Sequence, residues 1–182
     1  RSMTEDYPDH VEINVDCYAN IYNASCLINA LDIVVLGATE VDVDFNVNVN
    51  THSDGLLLHG IGGHQDTAAG AKLTIITCPT ARKINPIILD RVTSITTPGE
   101  CVDIIATEEG IAINPLRKDL LEALKDYDGL KTIHELQEIG EKKAGRKMVA
   151  PKVKDNIIAV IEWRDGSVID VVYEVDMDEK KE

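Results

Sequence analysis

Leu31-Asp32-Ile33-Val34-Val35-Leu36-Gly37 is a short apolar run closed by a glycine, the pattern of a strand covered on both faces. Further on, Lys72-Leu73-Thr74-Ile75-Ile76-Thr77-Cys78 is again rich in β-formers and is stopped by Pro79. A glycine-rich bend and a candidate helix start lie between them. Strands alternating along the chain with helix-forming sequence point to a mainly parallel sheet, because parallel neighbours need a crossover.

Outward from this unit, Val41-Asp42-Val43-Asp44-Phe45-Asn46-Val47-Asn48-Val49 alternates strictly, which predicts one strand with an apolar face and a face of Asp and Asn. That polar face is either wet or turned toward a ligand. Pro98-Gly99 is a turn ahead of another buried-strand candidate, Cys101 to Ala106. Asn114-Pro115 has the form of a helix start, an Asn cap with proline in the first turn, and Leu116, Leu120, Leu121 and Leu124 would dock that helix on a core. Thr132 and Glu135 have capping-box spacing for a second helix, with Ile133, Leu136 and Ile139 inward, and Lys142 and Lys143 late before Gly145. Asn156–Trp163 and Ser167–Val175 flank Asp165-Gly166, a hairpin signal. The expected fold is α/β: an open, mainly parallel sheet with flanking helices and a C-terminal antiparallel hairpin. Residues 1–26 read as a lead-in of uncertain structure, 27–175 as one domain and 176–182 as a charged tail.

The chain has 182 residues, with 18 Lys+Arg against 32 Asp+Glu and a net charge of −14. Such a charge repels phosphate backbones and anionic membrane surfaces, so neither nucleic acid nor membrane is an expected partner. No apolar run approaches the ~20 residues that span a bilayer. The start lacks the basic and apolar regions of a secretory leader, and Arg1-Ser2 before Met3 reads as a cloning remnant or a cut site. Cys17, Cys26, Cys78 and Cys101 lack metal-ligand spacing and are expected to be reduced and mostly buried, so no metal is expected. A cytoplasmic location follows as an expectation.

The most unusual stretch is Leu58-His59-Gly60-Ile61-Gly62-Gly63-His64-Gln65-Asp66-Thr67-Ala68-Ala69-Gly70. Glycines clustered at Gly60, Gly62 and Gly63 permit unusual dihedrals and close approach to backbone N–H groups. Asp66 is placed to cap a short helix through Thr67, whose first N–H groups would then form a positive patch without Lys or Arg. It suits a phosphate, a carboxylate or a developing oxyanion, where each donor is worth roughly 3–4 kcal/mol. Neither the Walker loop nor the dinucleotide fingerprint is present; a tight packing turn is the alternative. His64 and His59 beside the glycines could donate to an anion or move a proton. Glu40 is a candidate carboxylate at a strand junction, or a solvated loop residue; Arg82-Lys83 could balance substrate charge, or face solvent.

Taken in order, Leu31 to Asp42, Phe45-Asn46-Val47-Asn48-Val49, Ser53-Asp54-Gly55, Gly62 to Ala68, Thr96 to Ile104, Gly110 to Pro115 and Arg164 to Val172 resemble the citrate lyase alpha chain family, from about Leu27 to Val175. The resemblance implies the fold of coenzyme A transferases, built from two similar α/β halves of which this chain would be the C-terminal one. It implies an enzyme that exchanges citrate for acetate on the thiol of an acyl carrier protein. The substrate would be a thioester of the carrier's prosthetic group, derived from dephospho-coenzyme A, or of coenzyme A itself, with no covalently bound cofactor. Expected partners are the missing N-terminal half, the beta chain, the gamma acyl carrier chain and further copies of the subunit.

On the same footing, Gly60 to Thr67 would lie at the thioester, with Gly62, Gly63 and His64 stabilising the oxyanion and Asp66 and Thr67 close by. Asn46, Asn48 and Arg82 would line the cleft. The Ser-Glu-Asn-Gly context of the nucleophilic glutamate in many coenzyme A transferases is absent, so Glu40 is only a possible contributor. The fragment is expected to be inactive alone. Alternatives are a coenzyme A transferase for another short carboxylate and a noncatalytic assembly module.

Overall fold

The computed structural model describes residues 6–176. Helix α1 (Val15–Ala19) and a 3-10 turn (Leu27–Ala30) precede β1 (Ile33–Gly37), β2 (Glu40–Asp42) and β3 (Val47–Asn48). Helix α2 (His64–Gly70) leads into β4 (Leu73–Thr77), followed by the short strands β5 (Ala81–Arg82), β6 (Asn85–Pro86) and β7 (Ile88–Leu89). Next come β8 (Ile104–Thr107), β9 (Gly110–Ile113), α3 (Lys118–Ala123), α4 (Ile133–Ala144) and the hairpin β10 (Val153–Glu162) with β11 (Val168–Val175).

The main sheet runs β1-β4-β8-β9, with β1, β4 and β8 parallel and β9 antiparallel to β8. The α/β architecture, the largely parallel sheet and the terminal hairpin are as the sequence implies. A second small sheet, β3-β2-β7, closes the core around Val41, Phe45, Val47, Ile76, Ile88, Ile105 and Leu136, all but sealed from solvent.

Helix α4 matches its sequence signature. The Thr132 hydroxyl accepts from the Glu135 amide, the Glu135 carboxylate accepts from the Thr132 amide, and Gly145 ends the helix in the left-handed conformation.

Three expectations are corrected. Strand β1 is present but not covered on both faces: it has a single neighbour in the sheet, and Ile33 and Val35 are 57% and 59% exposed. The 41–49 alternation is not one strand. Asp42 accepts hydrogen bonds from the amides of Asp44, Asn46 and Val92, Phe45 takes φ +67°, and the chain folds back so that Glu40 pairs with Asn48 and Val41 with Val47. A short aspartate bonding its own following amides competes with the extended ladder and wins here. Burial pushes the Asp42 carboxyl up, against the pull of those bonds. The turn is pressed onto Gly99, where a Cβ would run into the Asp44 carbonyl oxygen.

The third correction concerns Asn114. Its side chain is buried and donates to the carbonyls of Gly99 and Val102, so it ties loops together, and the helix starts only at Lys118. Leu116 is 69% exposed and α3 buries no residue, so this helix does not dock on the core. Residues of the lead-in are ordered around a small cluster in which Ala19, Cys26 and Ile28 are buried. Of the tail, all but Asp176 lies outside the described residues.

Candidate functional site

Strand β1 ends at Gly37 where α2 begins across the glycine bend, and the two define a cleft of about 340 Å3. Gly37, Ala38 and Thr39 form one wall, His59, Ile61 and His64 another, with Arg82 at the mouth. Parallel strands put their carboxyl ends and the helix N-termini on the same edge of a sheet, and crevices there are the usual ligand sites. A larger cavity of about 390 Å3 lies between the hairpin and the β7 end, walled by Leu89, Val92, Met148, Pro151, Val172 and Tyr173. It holds none of the candidate residues.

The bend is open. Gly60, Gly62 and Gly63 are exposed; a Cβ at Gly60 or Gly62 would meet nothing within 4 Å, and Gly62 has φ +62°, which favours glycine. Helix α2 begins at His64 with Gly63 as its cap, and its first hydrogen bond runs from the Thr67 amide to the Gly63 carbonyl. The N–H groups of His64, Gln65 and Asp66 precede that bond and have no partner within the helix.

Asp66, expected to be the cap, is instead in the first turn, and its carboxylate takes the Arg164 guanidinium at 2.8 Å. Thr67 is buried and turns its hydroxyl back onto the carbonyls of Gly63 and His64. Gln65 donates to the Glu162 carbonyl, a second tie from α2 to the hairpin. No local pattern announces Arg164, which lies far along the chain.

His64 is not a free imidazole. Its Nε2 bonds to the Gly37 carbonyl at 3.0 Å, and since a carbonyl only accepts, that nitrogen carries the proton. Its Nδ1 takes the Thr97 hydroxyl at 2.8 Å. Burial holds its pKa below the ordinary value, with the Gly37 bond opposing, so the ring is kept neutral with both nitrogens engaged. His59 differs. Its Nδ1 donates to the Gly60 carbonyl at 2.7 Å, and its Nε2 is left without a partner among the described residues.

Glu40 is fully buried. Its carboxylate accepts from Asn48 Nδ2 at 2.8 Å and from the Thr93 amide at 3.1 Å. Asn48 is equally buried and further accepts from the amides of Asn50 and Thr51. Asn46 bonds Asp42 through Nδ2 and the Gly99 amide through Oδ1. The structure therefore brings His59, His64 and Arg82 to one cleft with the exposed Gly60, Gly62 and Gly63 in the bend beside it, but buries Glu40 and Asn48 and turns the half-buried Asn46 onto Asp42 and Gly99 within the β2–β3 turn.

The Arg82 guanidinium donates to the carbonyls of Ala38 at 2.8 Å and Thr39 at 3.1 Å. Among the described residues no carboxylate pairs with it, so its charge is presented uncompensated at the cleft. The described residues contain no His/Cys/Asp/Glu group suited to a metal. The four cysteines are free; burial pushes the Cys78 thiol up to about 12 and that of Cys101 up to about 11.

Comparison with known proteins agrees on one family. The family described as citrate lyase, alpha subunit (CitF), matches residues 1–175. The citrate lyase alpha chain of Klebsiella pneumoniae is 44% identical over 96% of this chain and 34% of its own length. That of Escherichia coli K12 is 44% identical over 92% of this chain and 33% of its own length. Among solved structures, the citrate lyase alpha subunit of Streptococcus mutans in complex with citrate superposes with a TM-score of 0.89 at 44% identity, covering 94% of this chain and 34% of that one. The chain thus spans about a third of the length of these relatives.

Proposed function

The chain belongs to the citrate lyase alpha subunit family, and on that premise we propose that it supplies one side of the site where citrate replaces acetate on the thiol of an acyl carrier protein. The substrates are citrate and an acetyl thioester of the carrier's prosthetic group, derived from dephospho-coenzyme A, or of coenzyme A. The products are the citryl thioester and acetate. The beta chain and the carrier chain are the natural partners of such a reaction, the remainder of the subunit completes the cleft, and the protein works in the cytoplasm. No helix among the described residues is long and apolar enough to cross a membrane.

One observation carries the reading: Arg82 offers, at the cleft, a cation unpaired with any carboxylate among the described residues, in a chain whose net charge is −14. Bulk attraction does not bring a tricarboxylate to such a protein, so a local donor set must. Arg82 and the unbonded N–H groups that open α2 form one, the arginine for a carboxylate and the amides for oxygen that gains charge at the thioester carbonyl. Gly62 and Gly63 keep that approach open.

The test is acetate release from acetyl-carrier plus citrate, in the intact subunit and in this chain mixed with the remainder. Activity that appears only when both parts are present, and an Arg82→Leu variant with raised citrate KM, support the proposal. Unaltered citrate kinetics in the variant overturn it. A second reading, a noncatalytic assembly module, is favoured by the open face of β1 at Ile33 and Val35. Replacing Gly63 by a bulkier residue separates the two: lost exchange with intact assembly supports catalysis, and lost assembly with retained exchange supports the module.

A further inference from the structure

Several acceptors around the cleft are committed within the protein. The Gly37 carbonyl accepts from His64, the Ala38 and Thr39 carbonyls accept from Arg82, and the Gly60 carbonyl accepts from His59. His64 spends its own lone pair on the Thr97 hydroxyl. His59 is the exception. Because its Nδ1–H is donated to Gly60, the neutral ring has the tautomer with its lone pair on Nε2, and no residue described here donates to that atom.

We propose that His59 Nε2 is the acceptor that reads the hydroxyl of the substrate, making it a specificity-determining residue for a hydroxylated tricarboxylate. The inference rests on the proposed citrate reading and deepens it. Citrate presents three carboxylates, which need donors, and one hydroxyl, which has a proton to give. Arg82 answers the first need; His59 answers the second. A site that hydrogen-bonds a substrate hydroxyl rejects the analogue lacking it, because its own polar atom is then left dry and unpaired. The bond from Nδ1 to Gly60 sets the direction of the lone pair and links it to the glycine bend.

The experiment compares citrate with propane-1,2,3-tricarboxylate, the same skeleton without the hydroxyl, in the intact subunit and its His59→Leu and His59→Gln variants. Two readouts are taken: calorimetric affinity for each acid, and kcat/KM for exchange on acetyl-carrier. The expected result is a wild-type preference for citrate of about tenfold. It collapses toward unity in His59→Leu through loss on citrate alone, and is partly restored in His59→Gln, whose side-chain oxygen still accepts. His59 is exposed, so both variants are expected to fold, and circular dichroism verifies it. Equal losses on both acids, as a charged imidazole serving a carboxylate would give, overturn the proposal, and so does a preference that survives His59→Leu. If calorimetry shows the His59-dependent preference while wild-type exchange is absent, the specificity role stands and the proposed reaction falls.

Discussion

His64 donates from Nε2 to the carbonyl oxygen of Gly37 across 3.0 Å, so the first residue of α2 is latched to the last residue of β1. The imidazole does for two chain segments what it would otherwise do for a substrate. The bond holds the glycine bend against the sheet edge.

That latch titrates. Burial lowers the folded-state pKa of His64 beneath its ordinary 6.5, so the unfolded chain takes up the proton more readily. Stability is full above that ordinary value and is lost as the pH falls through the lower folded-state value. Thermal unfolding followed from about pH 7.5 down to about pH 5.5 is expected to show this decline, and His64→Gln is expected to flatten it. A wild-type Tm that does not change over the range would contradict the assignment.

Glu40→Ala is expected to cost at least about 2 kcal/mol in urea unfolding, because Asn48 Nδ2 and the Thr93 amide lose a buried acceptor. A variant of normal stability that has lost only exchange would restore Glu40 to the chemistry.

Two glycines separate architecture from access. Gly99→Ala drives a Cβ into the Asp44 carbonyl and is expected to lower stability by about 3 kcal/mol or more. Gly60→Ala meets open space and is expected to leave the unfolding midpoint nearly unchanged, so any loss of exchange there reports on the cleft. Chemical denaturation of both variants measures the contrast.

Thiol titration at mildly alkaline pH is expected to find Cys17 reacting rapidly in the folded protein. Cys26 is buried, Cys78 is buried with its thiol pushed up to about 12, and Cys101 is held at about 11. Denaturant should release all four, and mass spectrometry of the labelled peptides identifies the order.

At Glu108 the expected slope lies in acid. Burial raises its carboxyl, but Lys143 and the hydroxyl and amide of Thr80 outweigh it and bring it to about 2. Its contribution is present above the ordinary 4.5 and disappears as the pH falls toward the folded-state value. Acid unfolding should therefore begin at higher pH in Glu108→Gln.

Elements whose signals are local were legible in the sequence. The α4 cap lies within four residues, the Asp165-Gly166 turn sits between its own strands, and β4 carries its β-formers and its proline stop. Failures came where a polar side chain serves a distant or competing partner. Asp42 gathers the amides of a turn out of an alternating run, and Asn114 spends its amide on Gly99 and Val102 rather than on a helix. The exposed face of β1 is not legible, because composition does not tell an edge strand from a central one. At the candidate site, the glycine bend and Arg82 were legible as residues. Which histidine is free was not, since that depends on Gly37 and Thr97, neither a neighbour of His64 in sequence.

Arg164, whose guanidinium holds Asp66, stands 98 positions downstream of it. A ribosome must therefore deliver the whole main sheet and the first strand of the terminal hairpin before that clasp can shut. The glycine bend is fastened only after that stretch has emerged, and a polypeptide truncated before Arg164 would carry the bend without its clasp.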